Sequence, residues 1–184
     1  MVMVCNGHYS EPSSPVFAGA EIWPGRMSHS HNYRQPEIFA GQRVVVVGAS
    51  ASGEDIARDI SSSAAQVYLS ARSWQDPSWG APDAPPCGPK KNIVRKRPIR
   101  RLLPDGGVEF DDASVVPAVD HLLFCTGYLY RFPFLEGPDA VVQVHENAVR
   151  PLYTSRMCSL SRMCSLTRMF SLTHLGLTTV HAAA

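Results

Sequence analysis

Hydrophobic residues along the chain form several short apolar runs, and one of them is followed by an amphipathic segment. Residues 44–47 are four consecutive valines that lead into a glycine-rich turn, and residues 65–73 and 119–128 are further strand-like runs. Continuous β-branched runs are typical of parallel strands buried on both faces. After the valines, Ile56, Ala57 and Ile60 have helical spacing, and Ser52 is the predicted N-cap. Strand, turn, helix and strand within about 30 residues predict a βαβ unit and an α/β fold.

The remaining elements are shorter. Residues 2–5 predict a strand that runs into the turn at residues 6–8, and a proline-rich loop follows it. Residues 99–115 predict two antiparallel strands joined through the Pro-Asp-Gly-Gly sequence at 104–107. Residues 74–89 contain five prolines and two tryptophans, which predicts a loop without regular structure.

The C-terminal residues have a different composition. From residue 155 the sequence SRMCSL-SRMCSL-TRMFSL repeats every six residues, and no acidic residue follows Glu146. A period of six keeps no single face of a helix and matches no solenoid repeat. A tandem duplication or a shifted reading frame explains it, and a repeat this short cannot bury its own apolar face. Residues 154–184 are therefore predicted to be a disordered low-complexity tail.

Composition restricts the class of protein. With 184 residues, 45% hydrophobic and 18% charged, the chain can bury a core, and its formal net charge of +1 gives no general attraction to nucleic acid or membranes. The cysteines form no C-x-x-C pair, so we expect neither a disulfide framework nor a metal site. No apolar run reaches 18 residues and the N-terminus lacks a signal sequence, which predicts a cytoplasmic chain with no membrane partner.

The glycine-rich turn at residues 48–53 is the first candidate binding site. Gly48 lets the strand turn sharply, and Gly53 lets the helix approach the sheet. Between them, Ser50 replaces the middle glycine of the usual dinucleotide fingerprint, and Ser50 and Ser52 can donate to phosphate oxygens. A pyrophosphate would bind at the helix N-terminus. The alternative is a tight βα turn without a ligand.

The end of the following strand indicates which dinucleotide fits. An NAD site places Asp or Glu about 20 residues after the glycines. Here the strand ends in Leu-Ser-Ala-Arg-Ser, with Ser70 and with Arg72, which lies 24 residues after Gly48. A guanidinium suits a 2′-phosphate, so NADP is preferred over NAD. The alternative is that Arg72 only faces solvent.

A basic run follows the proline-rich loop. Residues 90–101 contain seven basic residues: Lys90, Lys91, Arg95, Lys96, Arg97, Arg100 and Arg101. Such a run can bind nucleic acid, but it has no interleaved aromatic residues for base stacking. A solvated basic strand near the cofactor phosphates is the favoured interpretation, with no nucleic-acid partner.

Three motifs in order resemble a known family. Trp23, Gly25, His29 and Tyr33 have the spacing of the identifying sequence of the flavin-containing monooxygenases, whose first position is usually Phe. The glycine turn comes within fifteen residues, and FCTGYLYRFPFLE at 124–136 is similar to that family's threonine-glycine-tyrosine segment. CNGHYSEP and HSHNYRQPEIF look most like the plant members that S-oxygenate glucosinolate side chains. The resemblance covers about residues 1–153.

The resemblance implies an enzyme that uses NADPH, FAD and O2 to transfer one oxygen to a soft nucleophile, a thioether sulfur or an amine nitrogen. It implies that Gly48, Ser50, Ser52 and Gly53 hold NADP(H), and that Ser70 and Arg72 read its 2′-phosphate. Asn6, Gly7 and His8 would mark one crossover between flavin and nicotinamide domains, and Thr126, Gly127 and Tyr128 the return. His29 and Tyr33 are either structural or catalytic. No catalytic residue is assigned.

The implied organisation is a Rossmann-type NADP-binding domain with partial remnants of a flavin-binding domain. Residues 1–37 would end the flavin domain and form a linker, residues 38–120 the NADP domain, and residues 121–153 the return strand. No glycine fingerprint precedes Gly48, so FAD is expected to bind poorly. The alternative function is therefore a truncated, catalytically inert NADP-binding fragment or pseudoenzyme. Neither the substrate nor the oligomeric state follows from the sequence.

Overall fold

The described residues of the computed structural model are 7–81 and 83–135, together with strands at 143–145, 148–152, 170–172 and 177–181. The predicted strand at residues 2–5 lies outside them. The chain divides into two units, one of residues 14–126 and one of residues 1–13 with 127–184. The predicted boundaries at 37/38 and 120/121 stay predictions. Among the described residues, no helix is long and apolar enough to cross a membrane.

The strands and the α-helix follow one another in this order: β1 (Glu11–Pro12), β2 (Arg26–His29), β3 (Arg43–Val47), α1 (Ala51–Ile60), β4 (Gln66–Ser70), β5 (Ile93–Lys96), β6 (Ile99–Leu102), β7 (Val108–Phe110), β8 (Val115–Val116), β9 (His121–Phe124), β10 (Tyr128–Leu129), β11 (Gln143–His145), β12 (Ala148–Leu152), β13 (Phe170–Leu172) and β14 (Leu177–His181). Short 3₁₀ turns lie at Ser30–Asn32, Pro36–Phe39, Pro77–Gly80 and Pro133–Leu135.

A five-stranded parallel sheet forms the centre of the 14–126 unit. Its strand order is β2-β9-β3-β4-β5, with α1 connecting β3 to β4. The chain leaves β3 toward β4 and β5 on one side, and β9 occupies the other side. The order therefore reverses at β3, and open α/β sheets bind ligands at the carboxyl ends of the strands beside such a reversal. The predicted Rossmann-type α/β fold is confirmed.

The valine run is buried because both faces of the sheet are covered. Val44 and Val46 pack with Ala57 and Ile60 of α1 on one face. On the opposite face, the alternate valines join a second core cluster that contains Phe110. Alternation of side chains between the faces of a strand explains why an all-apolar run fits here.

Two strands of the sheet have sequences without a continuous run of hydrophobic residues. β2 lies in the segment predicted as linker, yet it pairs in parallel with β9 from Arg26↔His121 to His29↔Phe124. β5 lies inside the basic run and pairs in parallel with β4. Both are edge strands in the sheet order, and Ile93 of β5 also bridges Cys87 of the preceding loop. An edge strand needs no continuous apolar sequence.

The predicted hairpin is present and is extended by a third strand. β6 and β7 pair antiparallel, and β8 adds to β7. Glu109 on β7 is buried, and its carboxylate accepts from Arg101 Nε at 2.6 Å and from Arg100 Nη1 at 3.3 Å. A buried carboxylate needs such partners because desolvation of an unpaired charge is costly.

The side chains of the basic run contact different partners within the 14–126 unit. Lys90 donates to the backbone oxygen of Ser62 just after α1, and Lys96 donates to Ser114 Oγ at 3.1 Å. Arg100 and Arg101 hold Glu109 as described. Four of the seven basic side chains therefore have partners within the unit. The interpretation of the run as a solvated basic strand near the cofactor phosphates stays a prediction. The expectation that the chain binds no nucleic acid stays a prediction.

The other unit contains antiparallel strands. β1 pairs with β10 through Glu11↔Leu129, and β11, β12, β14 and β13 form a four-stranded sheet. β13 and β14 lie within the tail that was predicted to be disordered, so that tail is not uniformly without strands. β14 pairs antiparallel with both β12 and β13, which satisfies backbone groups of these strands.

His121, at the start of β9, links stability to pH. Its Nε2 lies 2.7 Å from Ser28 Oγ on β2, and the ring of Phe39 packs against it at 5.0 Å. Burial, and then the nearby positive charge of Arg26, lower the pKa of His121 below its ordinary value of 6.5. The folded state therefore favours the neutral ring, and the unfolded chain binds more protons below that pH.

We expect stability to fall as the pH drops from about 6.5 through the lowered pKa of His121. Urea midpoints at pH 7.5 and 5.5 should differ more for the wild-type chain than for His121→Gln. His31→Gln, at an exposed histidine, is the matched control for replacing a histidine by glutamine. An unchanged pH dependence in His121→Gln would contradict this assignment.

Candidate functional site

The turn after β3 is shaped by the absence of a side chain at Gly48. This residue has φ +103°, a conformation that L side chains rarely adopt. Its amide donates to the backbone oxygen of Ser70 at 2.8 Å. A Cβ at Gly48 would lie 2.6 Å from the backbone oxygen of Cys125. Backbone conformation and close packing therefore both require glycine here, as the sequence predicts.

Gly53 has a different role in the same turn. It lies in the first turn of α1 and is buried, and a Cβ there would lie 1.8 Å from the backbone oxygen of Gly48. No side chain fits that distance. The helix start can therefore lie directly against the turn, which brings its amides to the carboxyl edge of the sheet.

The helix begins one residue after Ser50, and the prediction that Ser52 is the N-cap is wrong. The N-cap is Ser50, which has extended backbone and makes no side-chain capping hydrogen bond. The first helical bond runs from the Glu54 amide to the Ser50 oxygen at 3.0 Å. Ser52 therefore lies inside the first turn, and both serines are exposed. First-turn amides have no intrahelical acceptor, which makes this end an anion-binding position.

The two predicted 2′-phosphate readers occupy different environments. Ser70, the last residue of β4, is buried, and its hydroxyl donates to the backbone oxygen of Arg97 at 2.9 Å. Arg72 lies two residues further on and is exposed. Ser70 thus fixes the end of β4 against the segment after β5, and Arg72 supplies the charge at this corner.

The predicted crossover residues lie outside or beside this site. Asn6 is not among the described residues. Gly7, His8, Gly127 and Tyr128 belong to the other unit, where the backbone oxygen of Gly127 accepts from the Ser13 amide at 2.9 Å. Thr126 is the last residue of the 14–126 unit and follows the end of β9. Their predicted role in a domain crossover stays a prediction.

The motif at residues 23–33 has structural contacts throughout. Trp23 is buried in the core cluster of Phe110, and a Cβ on Gly25 would lie 2.2 Å from its indole ring. Tyr33 donates its hydroxyl to Asp59 on α1 and stacks on Phe39. Burial, and then this hydrogen bond, raise the pKa of Tyr33. The motif therefore packs the segment before β3 onto the sheet and helix, which supports its structural interpretation.

His29 and Cys125 lie at the carboxyl edge of the sheet. His29 is buried, and its Nδ1 accepts from the His31 amide at 3.0 Å. Burial raises the pKa of the Cys125 thiol to about 11, so it stays protonated and is a poor nucleophile at neutral pH.

The described residues contain no cluster of three metal-ligating side chains.

An aromatic cluster near this edge was not predicted. Trp74 and Trp79, from the loop predicted to lack structure, pack against the guanidinium of Arg95. The sequence carried one signal for it, since two tryptophans in a polar loop usually find a partner.

Comparisons with known proteins agree with this geometry. The family model described as Flavin-binding monooxygenase-like matches residues 1–79. Flavin-containing monooxygenase FMO GS-OX-like 2 of Arabidopsis thaliana is 41% identical over 152 residues, which are 83% of this chain and 31% of that protein. Flavin-containing monooxygenase FMO GS-OX5 of the same plant is 43% identical over 152 residues, covering 83% of this chain and 32% of its own length.

A solved structure gives the same result. S-allyl-L-cysteine S-oxygenase from Allium sativum superposes with a TM-score of 0.71 at 43% identity, covering 81% of this chain and 32% of that one. The chain thus spans about a third of the length of the curated relatives it matches. Its motifs, its parallel sheet and these matches agree, and the chain belongs to the flavin-containing monooxygenase family.

Proposed function

We propose that this chain binds NADP(H) and is the nicotinamide-nucleotide-binding segment of an NADPH- and FAD-dependent monooxygenase. One observation carries the proposal. The absence of side chains at Gly48 and Gly53 opens the turn between β3 and α1, beside the point where the strand order reverses. Pyrophosphates bind at such turns because helix amides and the helix dipole favour negative charge.

The residues around the turn have distinct tasks in this proposal. The amides at the start of α1 bind the pyrophosphate, and the exposed hydroxyls of Ser50 and Ser52 donate to its oxygens. Arg72 binds the 2′-phosphate, and Ser70 holds the end of β4 in place through Arg97. Bound NADPH supplies a hydride. The protein positions it and shields it from water.

The flavin fits the described residues less well. α1 is the single α-helix among them, and it carries one glycine turn. That turn has the geometry for one pyrophosphate, which we assign to NADP(H). A cradle for FAD is not present in the described part of the chain.

The proposed substrate is a soft nucleophile, with a thioether sulfur favoured over an amine nitrogen. The support is the name of one relative, an S-allyl-L-cysteine S-oxygenase, at 43% identity. NADPH oxidation in the presence of added FAD and a thioether measures this directly. Turnover supports the monooxygenase, whereas NADPH binding without turnover supports the alternative of an inert NADP-binding fragment.

The decisive binding experiment compares NADPH with NADH. A charge-assisted contact to the 2′-phosphate contributes about 1.5–3 kcal/mol, so Arg72→Ala should weaken NADPH binding by about tenfold or more. NADH binding should stay unchanged. Calorimetric Kd values for both nucleotides check this.

Arg100→Ala serves as the control, because Arg100 lies on β6 and pairs with Glu109. It should change neither Kd. Equal affinities of the wild-type chain for NADPH and NADH would refute the NADP assignment.

A further inference from the structure

A hollow of about 100 Å³ lies between α1 and the strands β4 and β5, and the loop residues Cys87 and Gly88 also line it. Its apolar floor is formed by Ala57, Leu69 and Ile93, and its charged rim by Glu54, Arg58 and Arg95. Sites for whole small-molecule ligands usually measure about 300–1,000 Å³. This one suits a single phosphate-sized group.

The position of the hollow relates it to the nucleotide turn. Glu54 lies in the first turn of α1, where the pyrophosphate would bind. Leu69 on β4 and Arg95 on β5 are paired in the sheet. Each is the second-last residue of its strand, because β4 ends at Ser70 and β5 ends at Lys96. Arg72 follows two residues after Ser70. The hollow therefore lies near the end of β4, three residues before Arg72 in the chain.

Arg95 is held in place by the two tryptophans of the preceding loop. Its guanidinium carbon lies 4.3 Å from the ring centroid of Trp79 and 5.7 Å from that of Trp74. Trp74 is fixed in turn, because its Nε1 donates to the Lys96 oxygen at 3.3 Å. Stacking occupies the face of a guanidinium and leaves its N–H edge for an anion.

The charge of the rim is positive. The carboxylate of Glu54 lies 3.5 Å from the guanidinium of Arg58. No ion pair to Arg95 occurs among the described side chains, so its charge is not neutralised there. A guanidinium oriented by stacking is suited to a dianionic phosphate. Arg72, which is exposed, follows two residues after the end of β4, the strand that pairs with β5.

We propose that Arg95 is a second cationic contact of the 2′-phosphate of NADP(H), with Trp74 and Trp79 as its positioning residues. This inference rests on the proposed function, since it assumes that NADP(H) binds at the turn. The preference for NADPH over NADH would then depend on two arginines, Arg72 after β4 and Arg95 near the end of β5.

The test uses fragments that differ only in this phosphate, adenosine 2′,5′-bisphosphate and AMP, with the complete chain. Arg95→Met keeps the length of the side chain and removes the charge. It should weaken binding of the bisphosphate by about tenfold, as loss of one charge-assisted contact does. Binding of AMP should not change. Arg95→Lys should lose less than Arg95→Met.

Arg100→Met is the matched control and should leave both affinities unchanged, and circular dichroism with thermal melting verifies the fold of each variant. An equal loss for both fragments in Arg95→Met, or no loss, overturns the role of Arg95. If the wild-type chain fails to distinguish the bisphosphate from AMP, the proposed NADP function fails instead. The two failures are therefore distinguishable.

Discussion

Gly25→Ala should destabilise the protein by about 2–3 kcal/mol, at the upper end of overpacking costs. A Cβ there would lie 2.2–2.6 Å from three atoms of the outer indole ring of Trp23. That ring is buried in the core that also contains Phe110, so it cannot move outward without exposing a large apolar surface. Urea unfolding of the two proteins measures the difference.

Trp23→Phe provides the control, because phenylalanine lacks the indole atoms that a Cβ would meet. In that background, Gly25→Ala should cost less than about 1 kcal/mol, which gives a coupling energy of roughly 2 kcal/mol in a double-mutant cycle. If the changes in unfolding free energy caused by the two substitutions are instead additive, the contact between Trp23 and Gly25 does not explain the aromatic-x-glycine spacing.

Gly53→Ala should destabilise the protein by about 2 kcal/mol, although α-helix propensity predicts the opposite sign. In an unconstrained helix this change gains about 0.5–1 kcal/mol. Here the new Cβ would lie 1.8 Å from the backbone oxygen of Gly48, so the helix or the turn must shift. Overpacking costs of about 1–3 kcal/mol outweigh the gain. NADPH affinity should fall as well, because the shift moves the amides of the turn.

Ser52→Ala is the matched variant in the same helical turn. Ser52 is exposed, so propensity alone should act, with a gain of up to about 0.5 kcal/mol. Urea midpoints compare the stabilities of the two variants. Calorimetry with NADPH is applied to Gly53→Ala and the wild-type chain only, because Ser52 is itself proposed to donate to the phosphate oxygens. A stabilised Gly53→Ala variant with unchanged NADPH affinity would show that the close approach of α1 to the turn is not needed.

Local patterns predicted the central elements because each carried its own signal. Four consecutive valines require two covered faces, and the structure supplies α1 on one side and the β6–β8 sheet on the other. The glycines at 48 and 53 implied a turn close to a helix, and the distances at both positions agree. Turn residues at 104–107 predicted the hairpin of β6 and β7.

Other features had no local signal. β2 and β5 are edge strands that depend on a neighbour distant in sequence, so their own residues need not be apolar. Ser52 was predicted as the cap by residue type, whereas the close packing of Gly53 against Gly48 sets the start of the helix at Ala51. The basic run suggested one surface, but its side chains reach separate partners.

Residues close together in the chain are enough to predict the α/β class, the glycine turn and the arginine after the second strand of the βαβ unit. Which groups surround that turn depends on contacts between residues that are distant in the chain. Trp79 and Arg95 meet because β5 pairs with β4, and Tyr33 meets Asp59 because the motif segment packs on α1. Such contacts join residues 16 and 26 positions apart, and only the folded sheet and helix bring them together.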